Sequence, residues 1–390
     1  MIWLILGAVI PSMAIAWAGG WAVRVWGPRW GLVDRPGHRK VHAQPTPTSG
    51  GLAIWLGVVV PLALGNALLA IVMASRGEAT ILGLPQIGVP AFVEPHLSGL
   101  AQQAGKLWLI LGGGTVLLIL GLFDDRQGLD WRLRLAVQTA VALSVVLLQP
   151  RLRMTLFIDA PWLTTGLSVI WIVGLVNAFN MLDNMDGLSA GVASIAAAIF
   201  AAVSLLVPDP VKHPPQIFVG GFLLVFLGSL LGFLWHNRPP ARLFMGDAGS
   251  YWIGYLLAVA TLTATFAGED TPRHAILAPL CVLAVPLYDM ATVVFIRLRQ
   301  KRSVFAGDKS HFSHRLVELG MTKTQAVLTI YLATATCGLG AFLLHQVDLV
   351  GACVILLLVA CMLVLVAILE AAGRLRPAES HDKDRDHGAA

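Results

Sequence analysis

The amino-acid sequence predicts an all-α integral membrane protein: a polytopic bundle of about eleven transmembrane helices, N-terminus out and C-terminus in. Three observations carry this expectation. Of 390 residues, 57% are hydrophobic and 13% are charged, against roughly 45–50% and 25% in an ordinary soluble domain, which excludes a water-soluble globule of this size. Apolar runs of about 20 residues recur along the chain, the length at which a helix crosses a bilayer with its backbone amides paired internally. Basic residues lie between these runs, so the formal net charge of +5 reports membrane topology and does not point to a nucleic-acid partner.

The expected spans lie near 2 to 23, 50 to 73, 106 to 123, 133 to 150, 163 to 179, 188 to 207, 217 to 235, 250 to 268, 276 to 296, 326 to 345 and 349 to 369. The first has a signal-peptide-like Ala14-Ile15-Ala16, but no basic residue precedes it and the apolar run continues to Val23, so it is expected to stay as a span. The ninth carries Pro286 and Asp289. Proline removes a helical hydrogen bond and kinks a span, and an intramembrane Asp needs a partner or a function. A bend beside a lipid-accessible groove is therefore expected there, with Asp289 facing the bundle. The four cysteines sit in apolar stretches without metal-site spacing and read as buried hydrophobes. Residues 1 to 370 form one membrane domain by this reading, and 371 to 390, of mixed charge without an apolar face, form a disordered cytoplasmic tail.

With the spans in place, 21 of the 27 Lys and Arg fall on one side of the membrane. The positive-inside rule makes that side cytoplasmic. Five polar clusters share it. Asp124-Asp125 puts two adjacent carboxylates at a helix end, where they repel unless a cation, a basic residue or a proton joins them. Asn177, Asn180, Asp183 and Asp186 recur every third residue, one polar stripe on a helix face with no basic residue in it. Asp247 lies in Phe244-Met245-Gly246-Asp247-Ala248-Gly249-Ser250, whose glycines permit close backbone approach to a ligand. His311, His314 and Arg315 lie in the most basic loop, and Asp34 to Gly51, with Arg39 and Lys40, is basic and turn-rich; both suit phosphate. Each has a plainer reading as well: a solvated span end, a helix cap, or a loop that sets topology or touches anionic lipid. Taken together, clustered acids and bases on one face describe a metal and polyphosphate site, with Mg²⁺ favoured by oxygen ligands and Mn²⁺ able to substitute.

The same stretches, in the same order, resemble the polyprenyl-phosphate N-acetylhexosamine-1-phosphate transferases of glycosyltransferase family 4, and look closer to their N-acetylglucosamine branch than to the muramoyl-pentapeptide branch. The resemblance runs from about residue 30 to 325. It implies a multi-pass protein of the bacterial cytoplasmic (inner) membrane with a cytoplasmic active-site cleft, where undecaprenyl or another polyprenyl phosphate attacks a UDP-sugar and UMP leaves. It further implies a metal-binding Asp247, paired Asp124 and Asp125 near the phosphates, active-site Asn180 and Asp183, a uridine pocket from Asp186, Asn237 and Phe244, and diphosphate contacts from His311, His314 and Arg315. Asp124 and Asn180 are taken as further metal ligands, and Arg39 and Lys40 as substrate-binding. Two positions depart from the family pattern: Ser313 replaces a histidine and Asn184 stands where Gly is more common.

A phosphate monoester with a second pKa of about 6 is mostly dianionic at neutral pH. Asp124 is therefore expected to orient the acceptor or share the metal rather than act as a base. UDP-N-acetylmuramoyl-pentapeptide stays open as donor, and a homodimer as the assembly. A secondary transporter would place acids at mid-membrane and on both faces, and a CDP-alcohol phosphotransferase would need D-G-x-x-A-R where Asp186-Gly187-Leu188-Ser189-Ala190-Gly191 stands.

Overall fold

The computed structural model describes residues 1–34, 45–76, 88–89, 93–154, 158–207, 215–264, 272–305 and 310–374. Among these, thirteen α-helices form the molecule: α1 (Ile2–Trp26), α2 (Gly50–Arg76), α3 (Leu97–Gln127), α4 (Trp131–Leu148), α5 (Pro161–Leu182), α6 (Leu188–Leu206), α7 (Ile217–Asn237), α8 (Gly246–Thr263), α9 (Ala278–Val282), α10 (Ala284–Arg299), α11 (Phe312–Glu318), α12 (Lys323–Leu343) and α13 (Leu349–Arg374). A two-residue antiparallel pair, β1 (Val33–Asp34) with β2 (Thr46–Pro47), is the one sheet among them, with Val33 opposite Pro47 and Asp34 opposite Thr46. The tail beyond 374, with Arg39 and Lys40, lies outside the described residues.

Nine of the described helices are long and apolar enough to cross a bilayer, and the bent pair that ends in α9 and α10 makes a tenth. The protein is thus polytopic. The remaining expected span corresponds to α8, which contains Tyr251, Trp252, Tyr255 and Asp247 and is not among those nine. Its position explains its composition. Every residue from Ala248 to Thr261 is buried, with α3, α5 and α2 packed around it. A helix enclosed by protein needs no uniformly apolar surface against lipid. Helices α1, α2 and α7 pack together on one flank, while α6, α9 and α12 pack on the other, with α13 against α12.

The ninth expected span is broken where Pro286 requires it. Helix α9 ends at Val282 and α10 starts at Ala284, with a 67° bend between the two parts. Pro286 has no N–H to offer the carbonyl four residues back, at Val282, and its ring crowds that carbonyl. Asp289 follows within α10 and is fully buried, facing the bundle.

Candidate active site

The site is assembled from helix ends. Asp124 and Asp125 close α3, Asn180 is in the last turn of α5, Asp183 to Gly187 link α5 to α6, Asn237 closes α7, and Asp247 is in the first turn of α8. Two glycines allow this convergence. A Cβ at Gly121 would collide with the backbone of Asp247 and Ala248, so only Gly lets the end of α3 lie against the start of α8. Gly246 has φ +71°, and a Cβ there would run into the carbonyl of Thr48 and the Asp125 carboxylate.

The adjacent acids of α3 have different surroundings. Asp125 caps α8 across the chain, its carboxylate oxygens accepting the N–H groups of Asp247 at 2.8 Å and Ala248 at 3.2 Å. Unpaired amides and the positive end of the helix dipole point at that carboxylate. Asp124 is buried and accepts from the Leu129 N–H at 2.8 Å, the Arg134 guanidinium at 2.9 Å and the Tyr251 hydroxyl at 2.8 Å. Both of its oxygens are engaged.

Asp247 accepts a hydrogen bond from the Asn180 amide at 2.5 Å, and that amide also donates to the Ser250 hydroxyl at 3.1 Å. Asn180 therefore aims Asp247. Asp183 lies beyond α5, where among the described residues its carboxyl meets only like charge, from Asp247 and Asp186. Burial, then these two carboxylates, push its pKa up to about 8. No three His, Cys, Asp or Glu side chains among the described residues stand together as a closed metal shell. Mg²⁺ does not need one, because it is commonly held by one or two carboxylates with waters and substrate phosphates completing the octahedron. Asp183 and Asp247 fit that donor set.

The other side chains of the stripe have structural partners. Asn177 donates to Gln138 of α4 at 2.7 Å and to the Val173 carbonyl at 2.8 Å. Asp186 accepts the Ala241 N–H at 2.9 Å. Asn237, 3% exposed, accepts from the Gly187 N–H at 2.9 Å and donates to the Leu243 carbonyl at 2.9 Å. It braces the acidic loop against the segment before α8. Phe244 is half-buried, its backbone bonded to Pro47 and Gly50, which carries the start of α2 to the same place.

The basic motif is held by the broken span. The carboxylate of Asp289 accepts from His311 Nδ1 at 3.0 Å and from the Phe312 N–H at 2.6 Å. Holding the proton on Nδ1 leaves Nε2 as the ring's acceptor in the neutral form. His314 is half-buried, with its ring centroid 6.4 Å from that of His311. Arg315, 4% exposed, is committed to Glu370 of α13 at 3.1 Å and to the Thr292 hydroxyl at 3.0 Å. Ser313 and Asn184, the two departures from the family pattern, meet: the Ser313 hydroxyl donates to Asn184 Oδ1 at 2.5 Å, joining the basic motif to the acidic loop.

Arg134, Tyr251 and Glu370 are among the partners that the sequence did not single out. Glu370 carried a signal, as the one acid in the apolar run of α13. Arg134 carried none, being one basic residue among several at a span end.

A family model described as Glycosyl transferase family 4 matches residues 107–265. The chain is 30% identical over 324 residues to the "Probable undecaprenyl-phosphate N-acetylglucosaminyl 1-phosphate transferase" of Bacillus subtilis (strain 168), covering 81% of this chain and 78% of the relative. It is 33% identical over 344 residues to the "Decaprenyl-phosphate N-acetylglucosaminephosphotransferase" of Mycobacterium tuberculosis (strain ATCC 25618 / H37Rv), covering 82% of this chain and 77% of the relative. Another relative, the "Undecaprenyl-phosphate alpha-N-acetylglucosaminyl 1-phosphate transferase" of Escherichia coli (strain K12), is 28% identical over 312 residues, covering 78% of this chain and 74% of its own. With matches of this extent running through every helix end that builds the acidic cluster, the chain belongs to glycosyl transferase family 4.

Proposed function

We propose that this protein transfers N-acetylglucosamine-1-phosphate from a UDP-sugar to a polyprenyl phosphate, undecaprenyl phosphate being the first acceptor to test, with release of UMP. The observation that carries the reading is the electrostatic pairing of Asp183 with Asp247, Asn180 aiming the second and, among the described residues, no basic side chain meeting the first. Such a pair calls for a cation, and the named activities of the relatives supply the anionic substrates that would share it.

Asp247 and Asp183 would hold Mg²⁺, in preference to Asp124, whose oxygens are engaged by Arg134, Tyr251 and Leu129. When bound, the ion neutralises diphosphate charge and assists the departure of UMP. The protein's own groups do the rest. Asn180 orients Asp247, and Asn237 and Asp186 fix the loop on which Asp183 sits. His311, fixed at Nδ1 by Asp289, would bind the phosphates by donating from Nε2 when that nitrogen carries a proton. The attacking lipid phosphate is already mostly dianionic at neutral pH, so Asp124 acts through Arg134 to hold charge in place rather than as a base.

The distribution of Lys and Arg supports a multi-pass protein of eleven spans, α8 among them, in a bacterial cytoplasmic membrane, with the N-terminus out and the site facing the cytoplasm. UMP release by the detergent-purified chain with Mg²⁺ and undecaprenyl phosphate tests the reading. UDP-N-acetylglucosamine, UDP-N-acetylgalactosamine and UDP-N-acetylmuramoyl-pentapeptide are offered in turn, with D247A as control. Lipid-dependent release with the first donor alone, lost in the control, is expected. Release only with the pentapeptide donor would reassign the substrate, and no release from folded protein would overturn the transferase reading.

A further inference from the structure

We propose that Arg24 and Arg242 form a second anion site, separate from the acidic cluster, that takes the phosphate of an anionic lipid headgroup. A cavity of about 390 Å³ lies between the end of α1, strand β2 and the segment leading into α8, lined by Trp21, Arg24, Thr46 and Arg242 among others. Among the described residues no acidic side chain lines it, and neither arginine has a carboxylate partner. The Arg24 Nη1 is buried and has no hydrogen-bond acceptor among the described residues, and its guanidinium lies 4.7 Å over the Trp21 ring.

A buried cationic N–H without an acceptor is costly, and two guanidiniums at one cavity repel each other. A phosphate answers both problems. Its oxygens accept charge-assisted hydrogen bonds, for which the planar guanidinium is well matched, and its charge neutralises the pair. Location selects the source. Trp17, Trp21, Trp26 and Trp30, 44%, 43%, 50% and 46% exposed, crowd the same end of α1, as tryptophans do where a span meets the headgroup layer. The cavity therefore opens at the depth where lipid phosphates lie. Ala241, which also lines it, donates its N–H to Asp186, so this site and the acidic cluster share a loop.

Native mass spectrometry of the full chain tests the assignment. Phosphatidylglycerol and phosphatidylcholine are supplied in separate arms, and inorganic phosphate is added as a soluble competitor. Retention of phosphatidylglycerol over phosphatidylcholine is expected, falling roughly fivefold in R242Q and further in R24Q/R242Q, in line with the contribution of each basic residue to anionic-lipid binding. Arg242 is exposed, so R242Q keeps the test open should the double variant fail to fold. Equal retention by the wild type and R242Q would overturn the proposal. So would complete displacement of the lipid by inorganic phosphate, which would assign the cavity to a soluble anion. UMP release measured on the same preparations shows separately whether the transferase reading holds.

Discussion

At the scale of single residues, the site depends on which carboxylates are already satisfied. Asp124 and Asp125 are adjacent and equally acidic in the sequence, yet one is neutralised by Arg134 and the other caps α8, whereas Asp183 is left facing Asp247 and Asp186. This makes Asp183 sensitive to pH. Its carboxyl holds a proton up to about 8 in the folded metal-free protein, whereas an unfolded chain releases it near 4. The folded state binds more protons across that window, so stability without metal is expected to fall as pH rises from about 4 to 8. On the proposed reading Mg²⁺ binds the deprotonated form, and adding it is expected to restore stability most at the alkaline end. Thermal unfolding in EDTA and in Mg²⁺ across this range checks both; profiles for D183N that match the wild type would remove Asp183 from the metal site. The Ser313–Asn184 bond gives a second residue-scale test. Ser313→Ala and Asn184→Ala are each expected to lower kcat/KM for UMP release, with a coupling energy of roughly 1 kcal/mol in the double-mutant cycle. Additive effects would mean that the bond is not what couples the two loops.

At the scale of elements, helix ends act together because close packing fixes them. Gly121→Val would force the end of α3 away from α8, where even a Cβ has no room. A loss of about 1–3 kcal/mol is expected from overpacking. Asp125 would leave the α8 amides at the same time, so the unfolding temperature and UMP release should fall together. A fall in stability with full activity retained would show that the α3–α8 contact does not position the site. Helix α13 reaches the site through Glu370, buried beside Arg315 and accepting from the Tyr288 hydroxyl at 3.1 Å. Glu370→Gln leaves the Arg315 cation without its counter-charge, and breaking a buried pair in this way costs about 3–5 kcal/mol. Unfolding in detergent would register that loss, and a shift near zero would mean that Arg315 has another partner. Pro286 illustrates how an element can be read early: its missing N–H requires a break whatever the neighbours are, and the 67° bend lies one turn before it.

At the scale of the whole molecule, the acids gather at one end of the bundle because helices α3, α5 and α7 end there and α8 begins there. On the proposed reading the basic residues between spans set the side on which that end lies. In a variant free of native cysteine, E94C is expected to react with a membrane-impermeant maleimide in intact cells, and R238C only after permeabilisation. Labelling of the two in the opposite pattern would invert the orientation. The separation of the acidic cluster from the transporter alternative belongs to this scale too. The described acids of the cluster lie at helix ends or in the loop between α5 and α6, whereas Asp289 and Glu370, within α10 and α13, hold His311 and Arg315.

The membrane class, the approximate spans, the break at Pro286 and the residue types of the site were determined by the sequence alone. They depend on local quantities: the length of an apolar run, the missing proline N–H, and the spacing of Asn177, Asn180, Asp183 and Asp186. Tertiary structure decided which members of those motifs are already satisfied by a partner and which, among the described residues, meet only like charge. It put Arg134 on Asp124, the α8 amides on Asp125, Glu370 on Arg315, and Ser313 on Asn184. It also enclosed α8 on all sides, which is why a helix with so many polar and aromatic residues can stand at the centre. The physical reason is that a carboxylate's chemistry is set by the charges and donors within a few ångströms of it, and those come from helices far apart in the chain.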